Sequence, residues 1–180
     1  MVQVFRCRIC GEAYIGEGPP SRCPFCGALQ KHLILASSTA FDWKGMFDVE
    51  LSEASRENVK KTLELEIDNA TFYLCVSKTS KSEEVRSMFK ILSKVEKEHA
   101  EIASKLLKLE MPAVEFKPSV CSQDDRKSVE ESLEREKRAV RLYTEFLAKT
   151  QEPRLKEIFQ SLIEIESDHI SLDKAKLGKL

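Results

Sequence analysis

The chain has 180 residues, of which 42% are hydrophobic and 33% are charged, and its formal net charge is −1. This composition is typical of a globular protein with a charged, helix-rich surface, and the near-neutral charge favours neither nucleic acid nor an anionic membrane as a partner. No apolar run approaches the roughly 18 to 20 residues of a membrane span. The N-terminal residues lack the basic-then-apolar order of a signal peptide, so we expect a cytoplasmic protein.

The first 36 residues predict a small β-rich domain that depends on a metal ion. Two Cys-x-x-Cys motifs, each followed by glycine, provide four candidate ligands: Cys7, Cys10, Cys23 and Cys26. In a reducing cytoplasm such pairs favour metal binding over disulfides, and the glycines permit tight turns whose backbone N–H groups can point at sulfur. Apolar segments at residues 2–5 and 32–35 predict strands. A unit this small cannot fold on its apolar core alone.

The identity of the ion in this four-cysteine site stays open between two metals. Four thiolates bind Zn²⁺ or a single iron, and a zinc ribbon can show the same residues. Zinc has no redox chemistry, whereas iron held by four cysteines can pass one electron at a time. Cys75 and Cys121 are predicted to be plain thiols without a role, and His32 a surface or packing residue.

A connector over residues 37–52 leads to a helical region that begins at about residue 53. The apolar residues of the connector, which include Trp43, predict that it packs on another part of the chain. Beyond it, apolar positions recur at alternating spacings of four and three, which predicts four helices that each bury one face. Ser80 and Ser122 resemble helix starts, and Pro153 suits the first turn of the fourth helix.

The lengths of the connections predict how these helices are arranged. The first and third connections are short, so they predict two antiparallel hairpins. The second connection, at about residues 110–121, can extend over about 40 Å, which is the length of a helix of about 27 residues. The sequence therefore predicts two hairpins joined by one long crossover.

The two hairpins repeat the same polar residues at core positions, 70 residues apart. This set comprises Glu66, Tyr73, Glu96 and His99 in the first hairpin, and Glu136, Tyr143, Glu166 and His169 in the second. By contrast, Glu64 and Glu134 point about 200° away around their helices and are predicted to face solvent. One Glu-x-x-His motif in a Glu-rich helix is weak evidence, but two in core phase, each with an in-phase partner Glu, predict one shared site.

The residues of this set suit a pair of metal ions. Four ionised carboxylates in a core are costly when unpaired, and two divalent cations balance their charge. A Glu and a His three residues apart share one helix face, and mixed oxygen and nitrogen ligands with open positions suit iron or manganese. This ligand set is known in ferritin-like di-iron and di-manganese bundles. Tyr73 and Tyr143 either pack in the core or hydrogen-bond the ligand carboxylates.

Together these motifs resemble the rubrerythrin family. The helical part resembles its ferritin-like di-iron domain, and the segments FRCRICG and CPFCG with the following KH resemble its rubredoxin domain. The expected fold is mainly α: a ferritin-like four-helix bundle with a long crossover between the second and third helices over residues 53–180, preceded by a β-rich rubredoxin-like domain over residues 1–36. Most family members carry these domains in the opposite order, so this chain resembles the reversed-order members.

The resemblance also implies an activity, cofactors and partners. It implies a peroxidase that reduces hydrogen peroxide to water in oxidative-stress defence. One iron in the four-cysteine site would relay electrons to two irons, or to Fe/Zn or manganese, in the carboxylate–histidine site. The external donor would be a rubredoxin or an NAD(P)H-dependent reductase. Because the rubredoxin centre of the family commonly serves a partner subunit, and two domains of one chain need not meet, we expect a homodimer or a larger homo-oligomer.

One departure from the family and two other functions bear on this expectation. Ala139 occupies a position where rubrerythrins commonly have an extra carboxylate used in redox-linked iron movement, and Asn69 occupies the equivalent position in the first helix. We therefore expect the two halves of the metal site to be more alike than in most rubrerythrins. The first alternative function is iron oxidation and storage. The four-cysteine domain argues against it, because storage needs no internal reductant. The second is a non-enzymatic metal-binding or interaction protein with a zinc ribbon.

Overall fold

The computed structural model describes residues 1–180 and contains three short strands followed by four long helices. The elements are β1 (Gln3–Cys7), β2 (Ala13–Gly16), β3 (Leu33–Leu35), α1 (Glu53–Thr79), α2 (Glu83–Leu107), α3 (Asp125–Lys149) and α4 (Pro153–Leu177). The strands form one antiparallel sheet in the order β2-β1-β3. The expected combination of a small β unit and a four-helix bundle is confirmed. None of the helices has an apolar stretch that could cross a membrane.

Three of the helices begin at residues whose side chains satisfy free backbone N–H groups. Ser52, Ser82 and Asp124 each accept a hydrogen bond from the N–H three residues further on. The predicted starts at Ser80 and Ser122 were wrong by two residues. These two serines accept hydrogen bonds from the N–H two residues on, so they shape the turn that precedes the helix.

The helices pair as two hairpins, α1 with α2 and α3 with α4. Three residues separate the helices of each pair, whereas residues 108–124 connect α2 to α3 without a helix or strand. This arrangement confirms the predicted long crossover. Glu64 and Glu134 face solvent as expected. Large aromatic side chains, including Phe72, Phe89 and Phe159, fill the interior between the helices.

The N-terminal β unit packs along α4. Ion pairs join Arg8 to Glu157 and Lys31 to Glu164, each at 2.8 Å. Gly27 lies so close to α4 that a Cβ atom there would come within 3.1 Å of Ile165, and one apolar cluster runs through both parts of the chain. The family resemblance allowed two domains of one chain that do not meet. In this structure they are in contact.

The connector packs on the N-terminal unit and on the start of α4, as predicted. Phe41 lies under the guanidinium groups of Arg8 and Arg154, and Trp43 lies under that of Arg6. Arg154 also donates a hydrogen bond of 3.0 Å to the carbonyl of Met46. The connector is therefore part of the interface between the β unit and the bundle.

A disulfide joins Cys75 in α1 to Cys121 at the end of the crossover. The expectation that these residues are plain thiols was wrong. Folding brings their Cα atoms to 5.9 Å, within the range that a disulfide requires, although 46 residues separate them in sequence. The bridge ties the long crossover to the first hairpin.

Candidate metal centres

The four cysteine sulfurs lie together at the tip of the β unit. All four residues are buried, and the Cys7–Cys26 and Cys10–Cys23 pairs each have sulfur atoms 3.8 Å apart. A tetrahedral ion with metal–sulfur bonds of about 2.3 Å requires sulfur–sulfur separations of about 3.8 Å. The spacing of the sulfurs therefore fits one tetrahedral metal ion.

The turns around this cluster are built by the two glycines that follow the motifs. Gly11 and Gly27 have φ angles of 88° and 78°, a region that residues with a side chain rarely adopt. Within the first turn, the N–H of Ile9 donates to Cys7 Sγ at 3.4 Å, as the motif predicted. Hydrogen bonds among the four thiols lower the pKa of Cys23 and raise the pKa of Cys26, to which burial also contributes.

The second cluster lies inside the bundle and contains all six predicted carboxylate and imidazole ligands. Its donors form two overlapping groups whose ligand atoms lie within 4.8 Å of one another. The first group is Glu66, Glu96, His99 and Glu166, and the second is Glu96, Glu136, Glu166 and His169. Each group takes a carboxylate of its own and an imidazole, and the two groups share Glu96 and Glu166. Two ion positions that share two carboxylates follow from this overlap.

The carboxylates of this cluster have more acceptor capacity than the protein satisfies. One buried oxygen of Glu66 and one of Glu136 lack a hydrogen bond. The shared carboxylates face imidazole nitrogens, with His169 Nδ1 3.2 Å from Glu96 Oε1 and 2.8 Å from Glu166 Oε2. Such unsatisfied buried oxygens cost free energy unless a cation or a proton occupies the space between them. Their number and convergence fit a pair of bound metal ions.

The carboxylates and imidazoles of the cluster shift one another's pKa. Burial, and then the carboxylates of Glu96 and Glu166, raise the pKa of Glu66 and Glu136 well above its usual value. Burial alone would lower the pKa of His99, but the facing carboxylates raise it, and the same holds for His169. The same carboxylates would stabilise a bound cation.

The two tyrosines donate hydrogen bonds to carboxylates of the opposite hairpin. Tyr73 Oη donates to Glu136 Oε1 at 2.5 Å, and Tyr143 Oη donates to Glu66 Oε1. Burial, and then the nearby carboxylate charge, raise the pKa of both tyrosines, so both hydroxyls keep their protons. Of the two interpretations that the sequence left open, the hydroxyl contact is the one present, although both rings are also fully buried.

The backbone of the four-cysteine cluster reaches the carboxylate–histidine cluster directly. His99 Nε2 lies 2.9 Å from the carbonyl oxygen of Cys26, while His99 Nδ1 lies 3.0 Å from Glu96 Oε2. A carbonyl can only accept, so Nε2 carries a proton and Nδ1 faces the carboxylates. The sequence motifs located both residues, but they could not show that one hydrogen bond joins the two clusters.

The positions that lack the family's extra carboxylate contain no charged group. Ala139 is fully buried, and Asn69 accepts a hydrogen bond of 3.3 Å from Arg135. His32, predicted to lie on the surface or to pack, is buried where the β unit meets α4, with Nδ1 3.6 Å from Glu157. Burial lowers the pKa of His32, which Glu157 opposes. Sequence reasoning missed Asp173 and Ser132, two buried polar residues that carry no recognisable motif.

The fold and the two clusters define a ferritin-like helical protein with a di-iron type of ligand set and a rubredoxin-like unit. Comparisons with known proteins agree with this class. The rubrerythrin model matches residues 57–176, and the model of the rubrerythrin rubredoxin-like domain matches residues 5–33. The chain belongs to the rubrerythrin family. Its residues fit one iron in the four-cysteine cluster and two irons in the buried carboxylate–histidine cluster.

Among individual proteins, the chain is similar to reverse rubrerythrin-1 of Clostridium acetobutylicum, with 26% identity over 110 residues. The alignment covers 57% of this chain and 61% of that relative, which is less than two thirds of the relative's length. The name of the relative agrees with the order of the two matched domains here, because the rubredoxin-like match precedes the rubrerythrin match. No solved structure gives a significant match to the chain.

Proposed function

We propose that this protein is a non-haem di-iron peroxidase that reduces hydrogen peroxide to water. The observation that carries the proposal is the hydrogen bond between His99 and the carbonyl of Cys26. It connects a cluster suited to one-electron transfer with a cluster suited to two metal ions. Storage of iron would not need such a connection, and a zinc ribbon could not use it.

In this proposal the ligands are the residues that the sequence singled out. Cys7, Cys10, Cys23 and Cys26 bind one iron, and Glu66, Glu96, His99, Glu136, Glu166 and His169 bind two more. When bound, the iron pair would supply the two electrons needed to reduce the peroxide. Glu96 and Glu166, which belong to both ligand groups, would serve both ions. Because the positions of Asn69 and Ala139 carry no carboxylate, we propose that the ligand set stays the same in both redox states.

The protein groups around the ligands orient them and direct electrons. Tyr73 and Tyr143 each fix the orientation of a carboxylate from the opposite hairpin. The Cys26 carbonyl holds the His99 ring with Nδ1 facing the cluster, and the same contact provides a short route for electrons. Burial of the cluster excludes water from the reacting atoms.

The contact between the β unit and the bundle bears on the assembly. It allows electrons to pass within one chain, so the peroxidase proposal does not depend on a second subunit. A homodimer or larger homo-oligomer, a rubredoxin or NAD(P)H-dependent reductase as donor, and a cytoplasmic location stay predictions. We also retain the proposed division into a rubredoxin-like unit (1–36), a connector (37–52) and a bundle (53–180).

A double variant tests the proposed function. Replacing Glu96 and Glu166 with alanine removes both shared carboxylates, so peroxide should no longer oxidise the reduced four-cysteine iron centre. The visible absorption of that centre should survive, because its ligands are untouched. The matched control replaces the solvent-facing Glu64 and Glu134 of the same bundle and should oxidise at the wild-type rate. Unchanged oxidation in the Glu96 and Glu166 variant would refute the peroxidase.

A further inference from the structure

A line of buried polar side chains leads from α4 to the second half of the carboxylate–histidine cluster. Asp173 lies one turn beyond His169, is fully buried, and has no hydrogen bond on either carboxylate oxygen. Ser132 is a polar neighbour of Asp173. Its hydroxyl donates to Tyr73 Oη at 3.3 Å. Tyr73 in turn donates to Glu136 Oε1 at 2.5 Å. The three residues come from three different helices.

The hydrogen bonds in this line all point toward the cluster. Ser132 uses its hydrogen on Tyr73, and Tyr73 uses its hydrogen on Glu136. Because the hydrogen of Ser132 is used on Tyr73, the lone pairs of its hydroxyl remain free to accept. A protonated Asp173 would therefore complete a directed row of donors that ends at a carboxylate of the site.

The first hairpin lacks this line, although the two hairpins repeat their other polar core residues. At the offset of 70 residues, Ser132 corresponds to Thr62 and Asp173 corresponds to Ala103. The Thr62 hydroxyl donates a hydrogen bond of 3.1 Å to the carbonyl of Asn58 in its own helix. This hydrogen bond is directed away from the cluster. The two sides of the site differ in access as well: the His169 side chain is 11% exposed and that of His99 is not exposed.

We propose that Asp173 delivers protons to the carboxylate–histidine cluster through Ser132 and Tyr73. This inference rests on the proposed peroxidase function. Reduction of one hydrogen peroxide breaks one oxygen–oxygen bond, consumes two electrons and two protons, and forms two waters. Electrons arrive on the His99 side through Cys26, and protons arrive on the Glu136 side. Asp173 gives up one proton at a time and is reprotonated before it delivers the next.

The surroundings of Asp173 suit a residue that exchanges protons. Burial raises the pKa of Asp173 to about 7, although the charge of His169 opposes the rise. The titratable groups that act on it are His169 on its own helix and Glu96 on α2. Both protonation states are then accessible near neutral pH, which is the condition for efficient proton transfer.

The test uses the full-length, metal-loaded protein and three variants. Asp173→Asn keeps the shape of the side chain but cannot give up a proton, and Ser132→Ala interrupts the line. Thr62→Ala, at the equivalent position of the first hairpin, is the control. Peroxide-driven oxidation of the reduced four-cysteine iron should slow by about tenfold or more in the first two variants and stay unchanged in the control. Thermal unfolding and metal content would identify any variant that fails to fold or load.

A second measurement reads the proton on Asp173 without turnover. In infrared spectra of the metal-free protein, part of the protonated carboxyl signal should come from Asp173 and be lost on raising the pH through about 7. This component, obtained as the difference between wild type and Asp173→Asn, should persist in Thr62→Ala. In the loaded wild type, oxidation should slow as Asp173 loses its proton with rising pH, and Asp173→Asn should lack that dependence. If Asp173 had a purely structural role, Asp173→Asn would lower the oxidation rate without changing its pH profile.

The outcomes separate this inference from the proposed function. If peroxide fails to oxidise the reduced wild type, the peroxidase proposal fails, and the infrared signal still reports whether Asp173 holds an exchangeable proton. If the wild type turns over and Asp173→Asn matches it in rate and pH profile, the proton route is wrong. Slowing in Asp173→Asn but not in Ser132→Ala would overturn the route through Ser132.

Discussion

The N-terminal unit and the four-helix bundle differ in what holds each together. The unit has short strands and few buried apolar residues, and its interior is largely the four cysteines themselves. The bundle has long amphipathic helices and a large apolar interior, with a polar cluster enclosed in it. In the unit, we expect the metal ion to organise the fold. In the bundle, we expect the packed helices to hold the ligands in position. Changes to each part should therefore have different consequences.

The largest effect is expected from loss of a cysteine ligand. Cys23→Ser should leave residues 3–35 without ordered structure, because metal binding supplies on the order of 10 kcal/mol in small thiolate domains. Residues 53–177 should remain helical. Hydrogen exchange would show rapid exchange in the first segment and slow exchange in the second. The control is Phe25→Ala, an exposed residue of the same motif. A Cys23→Ser unit that stays protected would show that apolar packing suffices.

A cavity in the bundle should produce the complementary result. Phe159 is buried among Tyr143 and Phe146, so Phe159→Ala should lower the free energy of unfolding by about 3–5 kcal/mol. Urea unfolding followed by far-ultraviolet circular dichroism would measure this. Leu172→Ala, on the exposed face of the same helix, should change it by less than about 0.5 kcal/mol. Equal losses in the two variants would mean that burial does not govern the stability of the bundle.

The disulfide should contribute less than the core. Cys75 and Cys121 close a long loop, so Cys121→Ser should lower the free energy of unfolding by about 2 to 4 kcal/mol through the entropy of the unfolded chain. A thiol reductant should bring the wild type to the stability of this variant and leave the variant itself unchanged. Reductant without effect on the wild type would show that the bundle does not depend on the bridge.

The smallest effect is expected where the start of α1 meets the start of α4. Glu152 accepts hydrogen bonds of 2.8 Å from the Ser52 N–H and the Ser55 hydroxyl. Burial opposes charge on Glu152, but these hydrogen bonds lower its pKa to about 2. The folded state therefore favours the ionised form. The resulting stability is present above the unfolded-state pKa of about 4.3 and is lost as the pH falls toward 2.

Glu152→Gln measures this contribution. Because the carboxylate is largely open to solvent, the loss at neutral pH should be about 1 kcal/mol or less. Chemical unfolding of wild type and variant should give curves that differ at pH 6 and coincide near pH 2. Glu53→Gln, an exposed neighbour on α1, is the control and should show no such difference. A difference that persists at pH 2 would assign the effect to packing instead of charge.

Much of the fold could be predicted because long-range order here follows from local patterns. Spacings of four and three placed the helices, and the repeat at 70 residues related the two hairpins before any contact was known. The ligand positions followed because they occupy the same phase as the apolar core. The strand Ala13–Gly16 was missed because its residues lack a strong apolar alternation.

The features that sequence could not supply are those made by tertiary packing. Nothing near Cys75 or Cys121 indicates that folding brings them together. The predicted starts of α2 and α3 were two residues too early. Ser80 and Ser122 can accept a hydrogen bond within a turn as readily as at the start of a helix. Asp173 resembles any acidic residue of a charged helix until its burial is known.

The contact between the N-terminal unit and α4 has a consequence for the order of domains in the gene. The unit is located by charged and apolar side chains on α4, including Glu157, Glu164 and Ile165. The docking position of the unit is thus set by side chains on the surface of α4. It does not depend on which end of the chain the unit is fused to. A gene rearrangement that moves such a unit would preserve its docking wherever the tether is long enough to reach. The reversed order then requires only a new connector.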